Sequence, residues 1–193
     1  MLKMIQNSWK LLPVLIFMFS FSGCVTKKDL LKTFPLAPVP LSKESIIGVY
    51  GNTPVSISNK GQFVSPPAYQ TLWETLNNCH SFIFKKQIPT SENATVTLSF
   101  LNNHRLKAVL DDGAIVKDSI VLKVKEYQDY VSVKKVFIIP IPFLFFHYQN
   151  TQLLISTESS NKLSVKNSRI QFVEIILAAS VEEESNLIFK KIE

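Results

Sequence analysis

The sequence predicts a mainly β protein, an antiparallel meander of about ten strands forming a barrel or a two-layer sandwich, with one helix near residues 66–77. Three observations carry this reading. Turn-forming residues recur about every eight to twelve positions through the second half of the chain, the rhythm of a meander. Ile120, Leu122 and Val124 alternate with Ser119, Lys123 and Lys125, the period-two pattern of a strand with one dry and one wet face. No strand-helix-strand rhythm is present, which excludes a parallel dinucleotide-binding sheet.

Taken in order, the first strand covers 46–50 and leads into a loop with Asn59-Lys60-Gly61. Ser65 reads as an N-cap and Pro66 as the first helical residue, with Tyr69, Leu72, Trp73 and Leu76 at helical spacing through Asn77. That stripe suits packing under a sheet. Strands are then expected over 81–86, 94–101, 105–110, 114–126, 130–139, 143–148, 152–157, 162–165, 170–179 and 186–192. Asn102-Asn103, Asp112-Gly113 and Gln149-Asn150 supply residues that tolerate positive φ in tight hairpins. So many sequential strands should curl, because an open sheet leaves edges free to aggregate.

With 193 residues, 46% of them apolar, the chain can bury enough surface for one β-rich domain over 42–193 and is not disordered throughout. Five Gly and two Cys are too few for a collagen-like or disulfide-scaffold protein.

Residues 1–23 read as a signal peptide and stand outside the fold. Lys3 and Lys10 form a positive n-region, 11–21 is apolar apart from Pro13 and Ser20, and the small residues Ser22 and Gly23 follow. Eleven helical residues rise about 16 Å, roughly half a hydrocarbon core, so this stretch does not suit a permanent span. Phe21-Ser22-Gly23-Cys24 resembles the lipobox of bacterial lipoproteins, with Phe in place of the usual Leu. The resemblance implies acylation of Cys24 and cleavage before it. Each acyl CH2 entering a bilayer contributes about 0.8 kcal/mol, so several chains anchor durably. Val25 is not the Asp that retains lipoproteins at the inner membrane, which implies an outer-membrane anchor in the bacterial cell envelope, facing periplasm or cell surface.

Residues 24–41 then read as the lipidated cysteine and a Pro-rich tether. Pro35, Pro38 and Pro40 favour extended polyproline II, whose reach over 25–41 approaches about 50 Å at 3.1 Å per residue. Lys27, Lys28 and Lys32 are placed to meet anionic head groups. Without Lys3 and Lys10, 19 of the 21 basic residues remain against 15 acidic ones, a scattered balance that does not point to nucleic acid.

Gly48-Val49-Tyr50 is faintly similar to the Gly-x-Trp that opens lipocalin barrels, although the following helix departs from the lipocalin order. The lipobox, the early Gly48-x-Tyr50-x-Asn52, the Leu72-Trp73-x-x-Leu76 helix and the meander together resemble a group of small lipoproteins of Bacteroidetes. Neither resemblance supplies a catalytic residue.

No catalytic, cofactor or metal constellation is legible. His80, His104 and His147 stand at least 24 residues apart, outside any His-Glu-x-x-His spacing. No Gly-x-Ser-x-Gly elbow, phosphate loop or dinucleotide fingerprint occurs. Asp111-Asp112-Gly113 reads as a hairpin turn, and 182–184, three consecutive Glu, as a solvated turn before the last strand. Asn93-Ala94-Thr95 would be an acceptor only in a eukaryotic secretory route. Cys79 reads as a buried cysteine at the helix-to-strand junction, with pairing or redox chemistry as the other reading.

The most unusual stretch is 136–146, eleven residues without a polar side chain, interrupted by Pro140 and Pro142. Prolines forbid a helix, and eleven residues are too few to span a bilayer. Three readings remain: a bend covered on both faces, one wall of an apolar cavity, or an exposed contact for a partner or the membrane. The candidate surface is Phe137, Ile139, Phe143 and Phe145. The function expected is a lipid-anchored, non-catalytic binding or assembly module with an envelope protein as partner. The alternative is a lipocalin-like carrier of an apolar or lipid-like ligand.

Overall fold

The computed structural model describes residues 27–35, 43–60, 71–80, 88–113, 115–141, 145–174 and 178–192. The protein is mainly β. Three helices are described: α1 (Lys27–Thr33), α2 (Lys43–Ile46) and α3 (Leu72–His80). The strands are β1 (Gly48–Gly51), β2 (Ser56–Lys60), β3 (Thr95–Asn102), β4 (Arg105–Asp112) and β5 (Ile115–Lys123). They continue with β6 (Lys125–Glu126), β7 (Val131–Ile141), β8 (Phe145–Ser159), β9 (Lys162–Glu174) and β10 (Ala178–Lys190).

Two antiparallel sheets result, one ordered β1-β3-β4-β5 and the other β2-β10-β9-β8-β7-β6. Among the described residues they do not close into a barrel, which selects the sandwich from the two architectures expected. The chain switches sheets at two corners. At one, Lys123 ends the pairing with Arg105, the Val124 amide donates to the His104 carbonyl at 2.9 Å, and Lys125 pairs with Ser132 in the larger sheet. At the other, β1 edges the smaller sheet and β2 edges the larger. There Tyr50 bridges to Lys191, and the Ile192 amide donates to the Val49 carbonyl at 2.7 Å. Such corners give edge strands partners that an open sheet would lack.

The core lies between the sheets. Val96, Leu98, Leu106, Ala108, Leu110, Ile120 and Leu122 from one side meet Val131, Val133, Leu153, Ile155, Leu163, Val165, Leu187 and Phe189 from the other. Helix α3 is wedged among them through Leu72, Trp73, Leu76 and Cys79, touching β4 and β5 on one side and β7 and β8 on the other. Cys79 is buried there.

Several sequence expectations change. Ile46 closes the short turn α2, so the first strand begins at Gly48, because the buried Tyr50 hydroxyl reaches back to the Ile46 and Ser45 carbonyls at 2.9 and 3.1 Å. The helix runs on to His80. Its described cap is Thr71, whose Oγ1 accepts from the Glu74 amide at 3.2 Å while donating to Glu74 Oε2 at 3.1 Å. Thr71-Leu72-Trp73-Glu74 is thus a capping-box sequence, a helix-start signal local to the chain. Ser65, Pro66 and the strand over 81–86 lie outside the described residues.

Gln149-Asn150 is not a hairpin. Both residues are buried in mid-strand β8, paired with Phe137 and Val136 on one side and with Gln171 and Ile170 on the other. In the same way 162–165 and 170–179 do not form separate strands, since Asn167 and Ser168 continue β9. Residues 182–184 are likewise strand and not a solvated turn, and Glu184 is buried between register partners Ser168 and Lys60. A backbone laddered on two sides overrides the turn preference of its side chains. By contrast Gly113, at φ 63°, makes the expected turn after Asp112, and Asn102 Oδ1 accepts from the His104 amide at 2.9 Å in the turn between β3 and β4.

Candidate functional site

Helix α3 is placed by one residue of the early Gly-x-Tyr-x-Asn stretch. Asn52 is 2% exposed, its carbonyl accepts from the Leu72 amide at 2.8 Å and its Oδ1 from the Trp73 amide at 2.9 Å. Two of the orphan donors at the helix start are satisfied from a loop distant in sequence. The Asn52 amide donates to the Ala94 carbonyl at 3.0 Å, which ties the same loop to the start of β3. Burial pushes the Tyr50 phenol up to about 12.

Above the apolar core, the inner face of the larger sheet turns polar. Register places Ser185 beside Asn167 and Asn167 beside Leu153, Arg169 and Lys135 beside Thr151, and Phe137 beside Gln149. Thr151 is fully buried and accepts from Gln149 Nε2 at 3.3 Å. Lys135 Nζ donates to the His80 carbonyl, fastening the end of α3 over this row. Among the described residues, buried Asn78 Nδ2 on the helix and Asn167 Oδ1 on the sheet meet no hydrogen-bond partner.

The outer face carries two further features. Lys166 is 2% exposed, paired in register with Leu154 and Asn186, and its Nζ donates to Ser164 Oγ at 3.4 Å. Burial depresses its pKa, opposed by the charge of Glu158. Farther along β7, Val136 and Ile138 are 45% and 51% exposed. Strand β6 pairs only with Val131 and Ser132, so the rest of β7 edges the described sheet.

Of the residues singled out in sequence, Phe137 is half-buried in β7 opposite Gln149. Ile139 pairs with His147 and Phe145 with Ile141, positions of the same register parity as Phe137. The hairpin therefore brings three of the four candidate positions to one side of the sheet, whereas the exposed apolar pair, Val136 and Ile138, belongs to the other. Alternation across a strand makes this split unavoidable in an unbroken apolar run. Phe143 and Cys24 lie outside the described residues. Asn52, Lys166 and the Asn78 and Asn167 amides were not legible as special, because their meaning comes from burial alone.

His80 ends α3 and His104 sits in the turn between β3 and β4, both exposed and on different elements. Asp112 accepts from the Ser91 hydroxyl and amide, which holds its carboxyl below the usual range, in a loop clamp at the end of β4. Among the described residues no three His, Cys, Asp or Glu side chains gather as a metal site, and no helix is long and apolar enough to cross a membrane. The chain matches no protein-family model, no curated protein and no solved structure.

Proposed function

We propose that this chain is a lipid-anchored cell-envelope domain that acts as a binding or assembly module, without catalysis, through the outer edge of the β7 and β8 hairpin. The observation that carries the reading is the exposure of Val136 and Ile138 on the part of β7 that lies beyond β6, at the edge of the described sheet. Exposed β-branched residues at the edge of the described sheet offer an apolar contact to a partner. Lys134 and Pro140 on the same strand limit indiscriminate pairing. The described interior is filled by α3, which favours a surface role over carriage of an apolar ligand within the sandwich.

The test places a photo-crosslinking residue at Ile138, or at the exposed Val116 as control, in the full chain in its native membrane. A discrete adduct at Ile138 that is absent at Val116 and lost in Val136→Ser supports the reading. Equal adducts at both sites, or none, overturn it. Saturable uptake of an apolar probe would favour the carrier. Detergent partitioning of Cys24→Ser tests the anchor separately: loss from the detergent phase supports it, and unchanged partitioning removes it.

A further inference from the structure

Residues 27–33, expected within an extended tether, form a helix docked on the domain. Leu30 and Leu154 are fully buried and join Tyr130 in a small apolar cluster on the outer face of the larger sheet, separate from the main core. Leu31, Phe34 and Tyr127 pack around it, and the Phe34 amide donates to the Leu30 carbonyl at 3.0 Å. The helix therefore moves with the sheet.

We infer that the domain lies against the membrane through α1 and the turn between β6 and β7, its partner there being a bilayer surface carrying anionic head groups. This rests on the lipid-anchor reading of Cys24. Cys24 precedes Lys27 by three residues, and an extended chain covers at most about 3.6 Å per residue, so the acylated cysteine and the docked helix are about 11 Å apart at most. That distance leaves no room for a 50 Å stand-off. The adjoining surface has the matching chemistry. Lys125 lies 5.5 Å over the Tyr127 ring, which stacks on Tyr130 at 4.8 Å between centroids. Over α1 and 125–130 the sequence holds Lys27, Lys28, Lys32 and Lys125 against Asp29, Glu126 and Asp129. Tyrosine and lysine belong at the head-group level, where an aromatic body meets acyl boundary and an ammonium meets phosphate. Ile138 sits seven residues along β7 from Val131, about 23 Å at 3.3 Å per residue, so the proposed contact lies well clear of α1 along the same face.

The experiment uses the full lipidated chain in vesicles of phosphatidylethanolamine and phosphatidylglycerol. Gln128, exposed in the turn between β6 and β7, and Val116, exposed on β5, are each replaced by Cys carrying a fluorophore, with buried Cys79 in the wild type giving the background. Head-group quenchers should quench the label at Gln128 several-fold more than that at Val116. Vesicles lacking phosphatidylglycerol, or the double substitution Lys32→Glu with Lys125→Glu, should reduce that difference while flotation with vesicles persists. Equal quenching, stronger quenching at Val116, or no quenching at either site overturns the inference. Flotation reads the anchor independently: if wild type and Cys24→Ser float alike, the anchor reading fails and this inference falls with it, whereas flotation of the wild type alone with unquenched labels rejects only the orientation.

Discussion

Replacing Leu30 by Ala tests whether α1 belongs to the folded domain. The side chain is 0% exposed and packs on Leu154, also 0% exposed, and on Tyr130. Truncation removes three carbon atoms, about 2.4 kcal/mol at 0.8 kcal/mol per buried methylene. The site is a satellite cluster on a sheet face, where neighbours can settle into the space, so little cavity cost is added and about 2 to 3 kcal/mol is expected. In a domain of this length that lowers the thermal midpoint by roughly 5 to 10 °C. If α1 instead undocks, the loss is capped at the free energy of docking. The assay is urea denaturation of the unlipidated protein, with Leu98→Ala in the main core and Ile115→Ala at an exposed site as references. Leu98→Ala should cost about 3 to 5 kcal/mol and Ile115→Ala less than about 0.5 kcal/mol. If Leu30→Ala behaves like Ile115→Ala, α1 is not packed as described and the membrane orientation argued from it loses its basis. Deleting 26–40 should for the same reason lower the midpoint, where a tether without packing would leave it unchanged.

Other perturbations follow from single contacts. Asn52→Ala strands the Trp73 amide in the core and should cost about 1 to 3 kcal/mol by denaturant titration. Tyr50 has a folded pKa of about 12 against 10.0 unfolded, so the folded state holds its proton longer. Its contribution is complete below pH 10 and is lost as pH rises through 12, a swing of order 2 to 3 kcal/mol that Tyr50→Phe should abolish in an alkaline stability profile. Lys166 has its pKa depressed below 10.5, so between the two values the unfolded chain binds more protons and stability rises with pH. Lys166→Met should therefore stabilise the protein at pH 7 by about 1 kcal/mol or more, with the gap to wild type narrowing toward pH 10.5 in melting curves.

Part of the fold was legible because it depends on short-range chemistry. Asp112-Gly113 turns where a left-handed glycine is needed, and the alternation of Ile120, Leu122 and Val124 faces the core as its period requires. Leu72, Trp73 and Leu76 mark a helix that covers a sheet. Gln149-Asn150 carries the same local preference for a turn, yet lies inside a strand laddered on both sides, where the tertiary ladder outweighs a preference of about 1 kcal/mol or less. Residues 182–184 are strand for the same reason. The candidate surface divides likewise: the apolar run over 136–146 is plain in the sequence, whereas the exposure of Val136 and Ile138 depends on what packs against the outer face of β7. Only the assembled sheets decided that Asn52 caps α3 and that Lys166 is buried. Nor does anything local to 27–33 say that Leu30 meets Leu154, more than a hundred residues away. Turn types and periodicities are energies between near neighbours in the chain. Burial and edge exposure depend on which distant segment packs alongside, and they take definite values only when both sheets are in place.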